Sequence, residues 1–145
     1  MEFLKQLTET PGVSGREEKV REVIKKRTKG WWDSLDEDAI GNLIGFVKAA
    51  KPKRGAKEKS VIISCHIDQI GFYVRYVDDL GFAWINAAGG FDARVLFARR
   101  VMVHTAAGVL PGVLNPPTKP IHMLSAEERN KIPPVGEFAI DLGLA

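Results

Sequence analysis

The sequence predicts an α/β protein, with a partial α/β layer in its first half and a small β-rich domain in its second half. Two segments with helical spacing of apolar residues come first, and the unbroken apolar run VIISC follows at residues 61–65. A run without alternation is typical of a strand that is covered on both faces, as in a sheet flanked by helices. From Gly71 onward, short strands and turn residues follow each other closely, which indicates a small barrel or sandwich.

The composition excludes several classes of protein. The chain has 145 residues, of which 45% are hydrophobic and 27% charged, and this balance argues against disorder. The formal charge of +3 comes largely from two basic runs, KKRTKG at residues 25–30 and KPKRGAKEK at residues 51–59. Neither run is interleaved with aromatic residues or matches a nucleic-acid motif, so we expect no nucleic-acid partner. No apolar stretch reaches the roughly 18 residues that span a bilayer, so we expect no membrane partner.

Cys65 is the only cysteine of the chain. A lone cysteine forms no intrachain disulfide, which indicates a reducing compartment, and the first residues do not resemble a signal peptide. We therefore expect a cytoplasmic protein. Because Cys65 lies within the apolar run, we also expect its thiol to be buried and inert.

Two helices are predicted in the first half of the chain. Residues 2–9 predict a short helix that is stopped by Pro11. The string S-G-R-E, from Ser14 to Glu17, predicts a capping box in which both side chains bind free N–H groups of a second helix. Gly30 is expected to close that helix.

Strand signals account for most of the remaining residues. Two short strands are predicted near residues 31–35 and 42–49, with a turn between them. GFYVRYV and FAWIN predict one hairpin, and RVLFARRVMVHT and VLPGVLN predict another, because turn residues separate the members of each pair. Ser125 begins a second capping box, and FAIDLGL predicts a last strand. We place a domain boundary at about residue 70, which divides the chain into residues 1–70 and 71–145.

His66 and Asp68 are the first candidate site residues. They follow the apolar run at positions i and i+2, which point to the same side of a strand. Open α/β sheets bind ligands beyond the carboxyl ends of their strands. A histidine there can bind a metal through one ring nitrogen, while a carboxylate fixes its tautomer. Alternatively, the histidine makes an ordinary hydrogen bond at the strand end and the aspartate is exposed, and the H-x-D motif alone does not decide between the two.

Longer sequence motifs occur along the whole chain. The segments TPGVSGRE, D-x-x-GNLI, HIDQIGFYV, GGFDARVLFARRVMVHT, GVLPGV, KPIHMLSAEERNKIP and FAIDLG occur in this order. They resemble the metallo-aminopeptidases that build tetrahedral TET particles, a family that includes glutamyl aminopeptidases and proteins labelled endoglucanase. The resemblance runs from Leu7 to Gly143, essentially the whole chain.

The resemblance implies a function and a division of roles. Residues 1–70 would begin an α/β catalytic domain that removes N-terminal residues from peptides. His66 corresponds to a ligand of a two-metal centre of zinc or cobalt, and Asp68 to the carboxylate that supports this ligand in catalysis. The residues after about 70 would form the β-barrel lid, which contributes dimer contacts, so we expect a homo-oligomer.

The resemblance also implies that parts of the site lie elsewhere. Family members continue past the lid, and that later portion carries the other metal ligands and the glutamate base. His104 and His122 fall in the lid segment, where their family counterparts are not ligands. Gln69 stands where the family usually has glutamate, with an effect that the sequence leaves open.

Three hypotheses follow for the 145 residues. They are the N-terminal part of an aminopeptidase that is inactive alone, or half of a split enzyme that a separate chain completes. In the third hypothesis they form a non-catalytic oligomerisation or binding module. A partial α/β layer leaves an exposed edge and an apolar face, which we expect another copy, another chain or disordered residues to cover, and we therefore predict self-association.

Overall fold

The computed structural model describes residues 1–50 and 59–144, and the chain divides into two compact units, Met1–Gln69 and a second unit that begins at Ile70. The architecture is mixed α/β, and its helices and strands, in chain order, are α1 (Glu2–Glu9), α2 (Glu18–Arg27), β1 (Ser34–Glu37), β2 (Leu43–Phe46), β3 (Gly71–Val77), β4 (Ala83–Ala88), β5 (Arg99–Thr105), β6 (Gly108–Asn115), α3 (Ala126–Asn130) and β7 (Ala139–Asp141). None of these helices has the length and apolar character needed to cross a membrane.

Ion pairs connect α2 to the β1–β2 hairpin in the first unit. Glu37 accepts from Arg21 at 3.0 Å and from Lys25 at 2.7 Å, and the Lys25 ammonium lowers the pKa of Glu37. The hairpin turn passes close to the same guanidinium, because a Cβ on Gly41 would lie 2.7 Å from Nη1 of Arg21. Gly41 also has a positive φ of 88°, a backbone conformation that residues with a side chain rarely adopt.

Trp32 also packs on the hairpin. Its Nε1 donates to the hydroxyl of Thr28 at 2.9 Å, and that hydroxyl donates to the carbonyl of Ile24. A Cβ on Gly45 would overlap the indole ring, so the absence of a side chain lets the ring lie flat on β2. Thr28 is buried although polar, and these two hydrogen bonds satisfy its hydroxyl.

The second unit is built on one antiparallel sheet with strand order β3-β4-β7-β6-β5. Each predicted hairpin is confirmed, with Val77 opposite Ala83 in one and Thr105 opposite Gly108 in the other. The last strand, β7, pairs with both β4 and β6 and so joins the two hairpins into one sheet. Ile85, Leu114 and Phe138 are fully buried against the inner face and form the centre of the core.

The predicted strand at residues 61–65 is wrong. The structure has no helix or strand between Lys59 and Ile67, and Val61, Ile62 and Ile63 are each about nine-tenths exposed. Cys65 is exposed as well, so the expectation of a buried thiol is also wrong. The physical reason is that a strand needs neighbours to satisfy its N–H and C=O groups, and no described strand runs alongside this segment.

The capping box at Ser14 is also wrong. Helix α2 begins later, at Glu18, with Glu17 at its N-cap and no side-chain hydrogen bond to the cap. The Glu17 carboxylate instead accepts from the N–H of Gly15 at 2.5 Å. The helix ends at Arg27, before Gly30, whereas the second capping box is confirmed, with Ser125 and Glu128 bonded reciprocally at the start of α3.

Candidate functional site

The segment that carries His66 and Asp68 is fixed in place by the loop between α1 and α2. The N–H of Gln69 donates to the carbonyl of Gly12, and its side-chain amide donates to the carbonyl of Thr10, both at 2.8 Å. Val13 and Gln69 form an isolated parallel bridge. Gly12 is buried, and a Cβ there would overlap the side chain of Val20 on α2, so only glycine lets the loop approach the helix this closely.

The His66 ring has one nitrogen engaged and one available. Its Nδ1 lies 2.9 Å from the backbone oxygen of Asp68 and 3.1 Å from Oδ1 of the same residue. A carbonyl and a carboxylate only accept hydrogen bonds, so Nδ1 must carry the proton and donate. In the neutral imidazole this places the lone pair on Nε2. The side chain is 84% exposed, which leaves Nε2 open to a ligand.

Asp68 is held in its ionised form. The Ser14 hydroxyl donates to its Oδ2 at 2.5 Å, and this hydrogen bond is the largest cause that lowers the pKa of Asp68. Partial burial opposes the shift, and the contact with His66 adds to it. The carboxylate is therefore anionic at neutral pH, in the state that best accepts from the imidazole N–H.

A groove borders this pair within the first unit. It has a volume of about 400 Å³ and an apolar wall from the two helices, formed by Leu4, Leu7, Val20 and Ile24. His66, Asp68 and Gln69 also line the groove. The arrangement places an imidazole and a carboxylate at the margin of a largely apolar depression, as in many ligand sites.

A second depression of about 430 Å³ lies in the second unit, lined by Phe97, Ala98, Arg99 and Arg100. These lining residues include no histidine or carboxylate, so they offer no metal ligand and no general base. The sequence-predicted site residues lie only at the first depression.

The donor set at His66 fits one ligand position of a metal site. A neutral imidazole with its second nitrogen bonded to a carboxylate is the usual state of a zinc-binding histidine. Among residues 1–50 and 59–144, no three histidine, cysteine, aspartate or glutamate side chains gather closely enough to hold a metal. His104 lies on β5 opposite Val109, and His122 lies in a 3-10 turn, Ile121–Met123.

The sequence reasoning missed two contributors to this site. The sequence predicts a helix cap at Ser14, whereas the Ser14 hydroxyl binds Asp68. At Gln69 the sequence indicates only a missing charge, whereas the side-chain amide connects the site segment to Thr10. The short string S-G-R-E carries a signal for a turn, since Gly15 adopts a positive φ of 85°, but no signal for a partner that lies 54 residues away.

Comparisons with known proteins point to one family. The family model for M42 glutamyl aminopeptidase matches residues 41–145. A lysyl aminopeptidase of Pyrococcus furiosus is 31% identical over 114 residues, which are 78% of this chain and 31% of the relative. The chain thus spans about a third of that relative's length.

Two solved structures of similar fold are named as an aminopeptidase and a peptidase. A TET aminopeptidase from a marine sediment Thaumarchaeota archaeon superposes with a TM-score of 0.86 and 31% identity, over 99% of this chain and 38% of that chain. The TET1 peptidase of Pyrococcus horikoshii gives a TM-score of 0.76 and 37% identity, over 98% of this chain and 40% of that chain. The match of the family model over most of the sequence is decisive: the chain belongs to the M42 glutamyl aminopeptidase family.

Proposed function

We propose that this chain corresponds to the N-terminal part of a metal-dependent aminopeptidase that removes N-terminal residues from peptides, and that His66 is one of its metal ligands. The observation that carries the proposal is the hydrogen bonding of Nδ1 to Asp68, which leaves Nε2 with a free lone pair on an exposed ring. The names of the similar proteins, lysyl aminopeptidase and TET aminopeptidase, support the reaction class.

Each side chain of the pair has one role in this proposal. His66 binds the metal, either zinc or cobalt, through Nε2. Asp68 holds the ring by its N–H and increases the electron donation of the imidazole, since the bonded carboxylate is anionic. When bound, divalent metal supplies a Lewis acid and an activated water at neutral pH. Gln69 contributes no charge and serves to fix the segment through Thr10.

The remaining ligands would come from residues other than those described. A catalytic zinc takes about three protein ligands, and the described residues offer one at this place. We therefore propose that the 145 residues do not hydrolyse peptides by themselves. A separate chain that supplies ligands in trans is the alternative to ligands on the same polypeptide, and addition of such a chain would restore activity.

The two units have different roles in the proposal. Residues 1–70 form part of the catalytic domain, and residues 71–145 form a lid that joins copies of the protein. The similar TET1 peptidase of Pyrococcus horikoshii can assemble into a tetrahedron or a large octahedral shell, which supports a homo-oligomer here. On the outer side of the β5–β6 hairpin, Met102, Val109 and Val113 are exposed apolar residues that a second copy would cover. Sedimentation of a clean monomer at micromolar concentration would argue against this homo-oligomer.

The ligand role is tested by zinc titration of the chain, observed by NMR at the three histidine rings. We expect the His66 ring signals to respond first and the His66→Ala variant to lose this response. The matched control is His104→Ala, which should bind zinc as the parent does. Asp68→Asn should weaken binding about 10-fold or more, because loss of a carboxylate partner typically costs 10- to 100-fold. Zinc that leaves the His66 signals unchanged would contradict the proposal.

A further inference from the structure

Ser14 and His66 bind opposite oxygens of a single carboxylate. The Ser14 hydroxyl donates to Oδ2 of Asp68 at 2.5 Å, and Nδ1 of His66 lies 3.1 Å from Oδ1. The terminal torsion of an aspartate is broad and nearly two-fold, so a single hydrogen bond leaves the carboxylate free to turn. Two hydrogen bonds from different directions define its plane.

We infer that Ser14 is a positioning residue of the metal site, which fixes the Asp68 carboxylate so that His66 presents Nε2 to the metal. The inference rests on the function proposed above, because His66 is the ligand in that proposal. Ser14 itself does not touch the metal or the substrate in this inference. It acts through Asp68, one hydrogen bond further from the ring.

The backbone around Ser14 is built to hold the hydroxyl at this place. Gly12 packs against Val20, and its carbonyl accepts the N–H of Gln69 at 2.8 Å. Gly15 turns the chain with a positive φ of 85°, and its N–H binds the Glu17 carboxylate. Ser14 therefore lies between two fixed glycines, on a loop that is bonded to the segment that carries Asp68.

A helix-capping role does not explain the serine. Helix α2 has Glu17 at its N-cap and no side-chain hydrogen bond there, so the Ser14 hydroxyl does not cap it. The His66 ring is exposed, so Ser14, His66 and Asp68 do not serve to fill a hydrophobic core. The contact of Ser14 with Asp68 has a direct consequence for the site, which is the orientation of the imidazole.

The backbone oxygen of Asp68 also accepts from Nδ1, at 2.9 Å. This second hydrogen bond limits how much zinc affinity should change when the Ser14 hydroxyl is removed. When the carboxylate turns away, the ring keeps this one partner and loses the anionic one. Removal of the Ser14 hydroxyl should therefore weaken zinc binding less than Asp68→Asn does. We expect an increase in the Kd for zinc of about 3- to 10-fold, below the effect typical for a direct partner of a ligand.

The test compares Ser14→Thr with Ser14→Val in the full chain, since these side chains have nearly the same shape and only threonine keeps the hydroxyl. The first measurement is made without metal, at about pH 8. Ring ¹⁵N shifts of ¹⁵N-histidine-labelled protein report the tautomer of His66. We expect the parent and Ser14→Thr to hold the proton on Nδ1, and Ser14→Val and Ser14→Ala to show a mixture of both tautomers.

The second measurement is the Kd for zinc, followed at the same ring signals. We expect the parent and Ser14→Thr to have the same Kd for zinc. The Kd of Ser14→Val and of Ser14→Ala should be about 3- to 10-fold higher. Ser125→Ala is the matched control, because it removes a serine hydroxyl from the capping box of α3, and it should change neither the His66 tautomer nor the Kd. Circular dichroism confirms that each variant is folded.

Identical tautomers and Kd values in Ser14→Thr and Ser14→Val would overturn the inference, even if both differ from the parent through their size. The tautomer is measured without metal, so it tests whether Ser14 orients the His66 ring independently of the proposed function. If zinc does not reach His66 in the parent, the proposed function fails, and the tautomer series still accepts or rejects the role of Ser14.

Discussion

The two units of the chain differ in how they treat apolar side chains. In the second unit, Ile85, Leu114 and Phe138 are completely buried, and other apolar residues pack around them. In the first unit Val20 is the one large apolar residue in the described part that is buried, while Val61, Ile62 and Ile63 face solvent. The second unit therefore carries its own core, whereas the apolar segment of the first unit has no cover among the described residues.

The difference follows from how the strands find partners. In the second unit β7 inserts between β4 and β6, so both hairpins share one sheet and one inner face. Among the described residues of the first unit, β1 and β2 pair only with each other, and the unit has two short helices. A two-stranded sheet offers little area to bury, so it leaves the next apolar run without a surface to pack on.

Substitutions of two isoleucines test this difference between the units most directly. Ile85→Ala should reduce the free energy of unfolding of the second unit by about 2–5 kcal/mol, because it leaves a cavity in a close-packed core. Ile62→Ala is the matched control, since Ile62 is 91% exposed and Ile85 is 0% exposed. Its effect should stay within about 0.5 kcal/mol.

Hydrogen exchange during denaturant titration measures the unfolding of each unit separately, at the β4 amides for the second unit and at the α2 amides for the first. A loss of several kcal/mol in Ile62→Ala would show that the segment is packed in solution and would contradict the contrast between the units.

Gly112 tests how tightly the core of the second unit is packed. A Cβ at this position would overlap Cγ2 of Ile140 and lie 3.1 Å from the backbone oxygen of Asp141. Gly112→Ala should therefore cost about 1–3 kcal/mol through overpacking between β6 and β7. Gly136→Ala has nothing within 4 Å of the new Cβ and should be close to neutral. Thermal unfolding of the two variants side by side checks this, and equal melting temperatures would refute the close fit.

The smallest expected effect concerns an ion pair on the surface of the second unit. The Arg94 guanidinium donates to both oxygens of Asp92 and lowers the pKa of Asp92 from 3.8 to about 2. Because the folded-state pKa is lowered, the stabilisation from this pair is fully present above about pH 4 and is lost as the pH falls through about 2.

A carboxyl NMR titration measures the pKa of Asp92 directly. Arg94→Gln should raise this pKa towards its usual value, since the side-chain hydrogen bonds to the guanidinium are its largest cause. A low pKa that persists in Arg94→Gln would assign the shift to the backbone N–H of residue 94 instead.

Local patterns were sufficient where the partner lies close in sequence. The hairpins β3–β4 and β5–β6 were predicted because turn residues separate two apolar strands, and register then follows from the turn. The capping box at Ser125 was correct for the same reason, since Ser125 and Glu128 are three residues apart. At Ser14 the same four-residue pattern failed, because Asp68 takes the serine hydroxyl.

The family, the hairpins and the choice of His66 and Asp68 could all be predicted from the sequence, because each depends on neighbouring residues or on motifs that match along the chain. The protonated nitrogen of His66, the partner of Ser14 and the exposure of residues 61–63 emerged from the structure. The protonated nitrogen depends on how the backbone of residues 66–68 folds around the ring. The other two depend on the presence or absence of contacts between residues far apart in sequence, whose free energies no local pattern records.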